Sequence, residues 1–118
     1  MNVLVCGDRH WNDWLAIRRE LSKLDPTQTT IITGGATGAD SIAEQAARRL
    51  EFFCVMVFPA WWDRQFKPAG PIRNRRMLEW GKPDLVLAFH KNLGESKGTA
   101  DMVMVARKAG VEVRVFTE

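Results

Sequence analysis

Two kinds of apolar pattern alternate along this chain. Residues 3–6, 29–33, 52–58, 84–89 and 111–116 are short runs of apolar or β-branched residues, each bounded on at least one side by Gly or Pro. Such runs predict buried strands. Between them, residues 14–24, 39–50, 71–80 and 98–109 predict helices. The stripe is clearest at Ile42, Ala43, Ala46, Ala47 and Leu50. Asp25-Pro26 is expected to stop the first helix. Pro71 suits the first position of the third, and Gly110 the C-terminal cap of the last.

Strands and helices thus alternate from one end of the chain to the other, and the strands are mostly apolar on both faces. That pattern requires a sheet covered on both sides. The prediction is an α/β fold: a Rossmann-like doubly wound sheet of about five mainly parallel strands flanked by helices, in one domain over residues 1–118. In such sheets ligands bind beyond the carboxyl ends of the strands. This rule gathers residues 7–11, 34–40, 59–76 and 90–99 on one rim, where the unusual residues lie.

Composition adjusts the picture only modestly. With 118 residues, 46% hydrophobic and 26% charged, the chain fits one globular domain. A net charge of +3 is compatible with an anionic ligand but too small to argue for nucleic acid. Much of the excess is local, in Arg64, Lys67, Arg73, Arg75 and Arg76. No apolar run approaches the ~20 residues of a membrane span, and the N-terminus enters a strand directly instead of a signal peptide, so no membrane partner and a cytoplasmic location are expected. Cys6 and Cys54, each inside an apolar run, are expected to be buried core thiols. Five tryptophans in so small a chain suggest exposed apolar surface and a homo-oligomer.

The candidate chemistry lies in four segments. Thr33-Gly34-Gly35-Ala36-Thr37-Gly38-Ala39-Asp40 follows a strand and opens a helix. Glycines admit an anion to backbone N–H groups, and the helix N-terminus supplies positive potential. The segment is neither a GxGxxG fingerprint nor a Walker A loop. Its structural alternative is a tight turn in which Asp40 favours the helix start. Glu95-Ser96-Lys97-Gly98-Thr99-Ala100-Asp101 opens the last helix, with Ser96 placed to cap and Lys97 to add a cation. Ala69-Gly70-Pro71-Ile72-Arg73-Asn74 places Arg73 near a helix start, where the helix dipole disfavours a cation. Arg73 and Arg76 are expected to share a face. Gly7-Asp8-Arg9-His10-Trp11 follows the first strand and points Asp8 and Arg9 into the same rim. Asp8, His10 and His90 match no metal motif, so no metal and no cofactor are expected. Trp61 and Trp62 suit either base stacking or the shielding of an edge.

These segments, in this order, resemble the YspA/YpsA-related branch of the SLOG superfamily: Gly7-x-Arg9-x-Trp11, Gly34-Gly35-Ala36-x-Gly38-Ala39-Asp40, Phe58-Pro59-Ala60-x-Trp62, Ala69-Gly70-Pro71-x-Arg73-Asn74-x-x-Met77 and Ser96-Lys97-Gly98-Thr99-Ala100-Asp101. The resemblance implies a Rossmann-like sheet and binding of nucleotides or nucleotide-derived signals. The superfamily includes the LOG phosphoribohydrolases, which cleave the N-glycosidic bond of a nucleoside monophosphate, and the DNA-processing protein DprA. LOG enzymes use the arginine of an Arg-Lys-x-x-Met stretch and the glutamate of a Pro-Gly-Gly-x-Gly-Thr-x-x-Glu stretch. Arg73 matches the arginine, with Met77 at the same spacing and Asn74 in place of lysine. Gly98-Thr99 match the Gly-Thr pair, but Met102 stands at the glutamate position and the Pro-Gly-Gly lead is absent.

The expected function is therefore binding of a phosphate-bearing, nucleotide-like small molecule, for sensing or sequestration. The expected ligand-binding residues are Gly7, Asp8, Arg9, Gly34, Gly35, Ala36, Thr37, Gly38, Asp40, Trp62, Arg73, Asn74, Ser96, Lys97, Gly98 and Thr99. One alternative is glycosidic hydrolysis, with Asp8, Asp40, Glu95 or Asp101 as the carboxylate beside Arg73. A second is single-stranded DNA binding through the arginine cluster and the tryptophans.

Overall fold

The computed structural model describes residues 1–62 and 68–118. Five strands are seen among them: β1 (Asn2–Gly7), β2 (Thr30–Thr33), β3 (Cys54–Val57), β4 (Leu85–Phe89) and β5 (Glu112–Phe116). They form one parallel sheet in the order β3-β2-β1-β4-β5. Among the described residues the α-helices set out are α1 (Trp14–Leu21), α2 (Ala39–Arg49), α3 (Ala69–Gly81) and α4 (Gly98–Lys108). The α/β, Rossmann-like architecture is the one the apolar pattern predicts.

Alternation within the central strands divides the core in two. Val3 and Val5, Ile31, and Leu85, Leu87 and Phe89 pack with α1 and α2. Leu4 and Cys6, Ile32, and Val86 and Ala88 face the other way, against Met77 of α3 and Met102, Val103 and Ala106 of α4. Successive strand residues point to opposite faces, so a run that is apolar at every position is what two covering layers demand. At the edges this requirement relaxes. β3 and β5 contain only partly buried or exposed residues. Cys54, expected to be a core thiol, is half-buried on β3, whereas Cys6 on central β1 is buried; both are free.

Element ends differ from the sequence pattern where local hydrogen bonds intervene. α1 stops at Leu21, after which backbone pairing tightens from i−4 to i−3: the Lys23 N–H donates to the Glu20 carbonyl (3.3 Å) and the Leu24 N–H to the Leu21 carbonyl (3.1 Å). α3 begins at Ala69, so Pro71 is its third residue, not its first. Proline is tolerated there because the first four helical N–H groups have no intrahelical acceptor in any case. A short 3₁₀ turn, Leu93–Glu95, interrupts the polar loop before α4.

The rim of the sheet is tied together at one point. Gly7 pairs in register with Phe89, so β1 and β4 end side by side. The Asp8 N–H continues this ladder by donating to the Phe89 carbonyl (2.8 Å). The Asp8 carbonyl in turn accepts the N–H groups of Trp11 and Ala39, both at 3.0 Å. This brings the β1–α1 turn against the start of α2, and only glycine fits at the contact. Gly38 has φ +73°, and a Cβ there would collide with the backbone of Asp8 and Arg9. Gly98, by contrast, faces open space.

Substitution of these two glycines should separate packing from function. Gly38→Ala is expected to lower stability by at least ~2 kcal/mol, from backbone strain and collision together. Gly98→Ala should stay within ~0.5 kcal/mol of the parent. Urea unfolding monitored by tryptophan fluorescence measures both.

Candidate ligand-binding site

A pocket of about 480 Å³ opens between the carboxyl ends of β1 and β4, where the strand order reverses. This topological switch point is where open α/β sheets bind ligands. Its wall comprises Gly7, Asp8 and Arg9 after β1, Ala36 and Asp40 at the start of α2, Arg73 and Asn74 on α3, His90 after β4, and Glu95, Ser96, Lys97, Gly98 and Thr99 leading into α4. Cys6, Met77 and Met102 also line it and are buried.

The α4 end is built to receive an anion. Ser96 Oγ accepts from the N–H groups of Thr99 (3.0 Å) and Ala100 (3.4 Å), which caps the helix as the sequence suggests. Among the described residues, the N–H groups of Lys97 and Gly98 have no protein acceptor. Two free amides, the positive end of the helix and the exposed Lys97 therefore converge on one wall of the pocket.

Arg73 forms the adjoining wall. Its Nη1 donates to the Gly34 carbonyl (2.7 Å) and its Nε to Asn74 Oδ1 (3.0 Å). These bonds fix the guanidinium and leave Nη2 uncommitted among the described residues. They also explain a cation near the start of α3: its charge is held toward the sheet rim by Gly34 and Asn74. Asn74 is buried, and its Nδ2 donates to the Gly98 carbonyl (3.2 Å) and to Asp101 Oδ2 (2.9 Å). The same Asp101 oxygen accepts from Arg75 Nη1 (3.3 Å). Asp101 thus clamps α4 to α3 and is not among the pocket residues, while Met102 lines the pocket in its place.

Asp40 is buried and reaches back to accept the Ala36 N–H (3.2 Å), tightening the glycine-containing turn. Burial pushes its carboxyl up from 3.8 to about 6, against the opposing pull of the Arg73 charge and the backbone N–H groups of Ala36 and Gly34. Burial likewise drives the Cys6 thiol far above its ordinary range, which keeps it neutral and unreactive.

Opposite α4, Asp8 and His90 face each other across the switch point. Asp8 Oδ1 accepts the His10 N–H (2.9 Å), and Asp8 Oδ2 lies 4.0 Å from His90 Nε2. His90 Nδ1 accepts the Asn92 N–H (3.0 Å), so in the neutral ring the proton resides on Nε2. The rim rule places His90 beside the site from sequence, but spacing alone gives it no partner. Its position immediately after β4 was the signal that places it on the rim.

Not every expected site residue meets the pocket. Gly34, Gly35, Thr37 and Gly38 shape the turn and are not pocket residues. Gly34 lacks a side chain because Arg73 and Asp40 crowd it, and the Thr37 hydroxyl donates to the Arg9 carbonyl (3.3 Å). Trp62 is exposed, with its ring tip against Gly70. Arg76 diverges from Arg73 and stacks over Trp61 at 4.3 Å and Trp80 at 6.0 Å. Arg64 and Lys67 lie outside the described residues. No described helix is long and apolar enough to cross a membrane.

The raised pKa of Asp40 makes stability depend on pH in a definite direction. Between about 6 and 3.8 the folded chain binds a proton that the unfolded chain does not, so this group favours folding as pH falls through that window. Above pH 6 its buried charge costs up to ~3 kcal/mol. Asp40→Asn, which retains an acceptor for Ala36, should be more stable than the parent at pH 8 and should lose that advantage below pH 4. Urea titrations at the two pH values decide this, and a less stable variant at pH 8 contradicts it.

No solved structure matches the chain. One curated relative, the Gene 61 protein of Mycobacterium phage D29, is 40% identical over 122 residues, covering 97% of this chain and 94% of the relative. The profile of the YspA, cpYpsA-related SLOG family matches residues 1–64, which include both the Gly7–Trp11 turn and the Gly34–Asp40 turn. With that match over half the chain and the parallel sheet beneath it, this chain belongs to the YspA, cpYpsA-related SLOG family.

Proposed function

We propose that the chain binds a nucleotide or nucleotide-derived small molecule at the β1/β4 pocket and holds it through its phosphate, as a sensor or sequestering protein. The observation that carries this is the start of α4. There, the free N–H groups of Lys97 and Gly98 stand beside the Lys97 ammonium and the uncommitted edge of the Arg73 guanidinium. Membership of the SLOG family agrees with nucleotide-related binding in general. Pocket size agrees as well, since about 480 Å³ lies within the usual range for small-molecule sites.

A single observation favours turnover as a second function. Asp40, with a pKa near 6, is in the range of a general acid. Its carboxyl is nevertheless buried and engaged by Ala36. Asp101, the acidic neighbour of Met102, is taken up by Asn74 and Arg75. Binding without reaction therefore has the better support. Exposed Phe53, Trp62 and Trp80 also support self-association, for which light scattering at micromolar concentration should give a mass above the 13.4 kDa protomer.

Calorimetric titration with inorganic phosphate and with the ribonucleoside 5′-monophosphates of A, G, C and U tests the binding function. At least one monophosphate should bind, more tightly than phosphate alone. Arg73→Ala should weaken it by ~10-fold or more, the magnitude of a lost charged hydrogen bond. Lys97→Ala, at an exposed position that leaves the fold intact, should weaken it several-fold. Chromatography of the same mixtures should recover the nucleotide unchanged. Release of free base would establish hydrolysis instead, and no binding by any probe would overturn the proposal.

A further inference from the structure

Resting on that phosphate-binding function, we infer that Asp8 and His90 form a second subsite of the pocket that recognises a sugar hydroxyl, so that the ligand is a ribonucleotide or another phosphorylated sugar with a free ring hydroxyl. Both residues are fixed in backbone and side chain. The Asp8 N–H donates to Phe89, and the Asp8 carbonyl accepts from Trp11 and Ala39. Its Oδ1 is occupied by the His10 N–H, which aims Oδ2 at the gap. The His90 N–H donates to the Phe116 carbonyl (2.9 Å), and its Nδ1 is occupied by the Asn92 N–H. What remains is one acceptor, Asp8 Oδ2, and one donor, His90 Nε2–H, facing each other at 4.0 Å.

That distance is too long for a direct hydrogen bond. It suits an oxygen placed between them. A hydroxyl that donates to the carboxylate at ~2.7 Å and accepts from the imidazole at ~2.9 Å subtends roughly 90° across the gap, an acceptable geometry at oxygen. A hydroxyl is the group that needs both functions at once, since it carries one donor and two acceptor sites. A phosphate oxygen matches poorly, because it would meet the Asp8 carboxylate as a like charge. The two ends of the pocket are thus chemically different. The α4 end offers the two free amides and the Lys97 ammonium, with the Glu95 carboxylate in the same segment, and the β1/β4 end offers the Asp8 acceptor and the His90 donor, with Arg9 next in the chain. A phosphorylated sugar has the same polarity.

Neither residue is free to relax away when the site is empty. A preorganised pair of this kind strengthens binding because little side-chain ordering accompanies it. It also discriminates, since a bound ligand lacking the hydroxyl covers this half-buried acceptor and donor without pairing them.

The test compares ribonucleoside 5′-monophosphates of A, G, C and U with their 2′-deoxy and 3′-deoxy forms, by calorimetry on the intact protein. The ribonucleotide that binds should lose ~10-fold or more in affinity on removal of one of the two hydroxyls. In Asp8→Asn and in His90→Ala the ratio between ribo and deoxy forms should fall to within about threefold of unity. Asp8→Asn keeps Oδ1 as the acceptor for His10, and thermal melting checks that each variant is folded. If both deoxy forms bind as well as the ribonucleotide, or if the variants weaken both forms equally, the hydroxyl subsite is wrong while phosphate binding stands. If neither inorganic phosphate nor any nucleotide binds, the phosphate site itself is wrong and this subsite falls with it.

Discussion

The carbonyl of Asp8 is the joint on which the site depends. It accepts from Trp11 and from Ala39, while the Asp8 N–H donates to Phe89. One residue therefore links the end of β1, the end of β4, the first turn and the start of α2. Gly38 makes this possible by leaving room for the Asp8 and Arg9 backbone. Without that contact the two central strands would still pair, but the pocket between their ends would lose one wall. The same junction uses the first N–H of α2 internally, whereas the Lys97 and Gly98 N–H groups at the start of α4 keep no acceptor among the described residues.

The two helix starts that look alike in sequence have consequently diverged in role. At α2 the glycines serve close backbone packing, and Asp40 turns back to hold Ala36. At α4 the cap is supplied by Ser96, two positions before the first helical residue, so the amides of Lys97 and Gly98 stay open. Asn74 couples the α3 and α4 walls: its oxygen orients Arg73 and its nitrogen holds Gly98 and Asp101. Lysine at that position, as in the LOG pattern, would offer no acceptor to Arg73.

Much of the fold was legible from apolar periodicity, because two-sided burial leaves an unbroken apolar run in β1, β2 and β4. The rim was legible for the same reason, through the rule that ligands meet the carboxyl ends of parallel strands. What stayed hidden depends on long-range packing. Nothing local distinguishes Gly38, which packs on Arg9, from Gly98, which faces open space. Likewise, Arg73 and Arg76 are equivalent by spacing, yet one is drawn to the Gly34 carbonyl and the other to Trp61. His90 paired with Asp8 only once the β1–β4 register was known, since 82 residues separate them. Half-burial of Cys54 followed from the edge position of β3, which strand order alone determines.

Backbone amide chemical shifts test the central claim most directly, because the claim assigns the phosphate to named N–H groups. Titration of ¹⁵N-labelled protein with ribonucleoside 5′-monophosphates should move the resonances of Lys97, Gly98 and Thr99 first and furthest, with smaller changes at Asp8 and His90. Shifts confined to the Trp61 and Trp80 surface, or none at millimolar ligand, would contradict it.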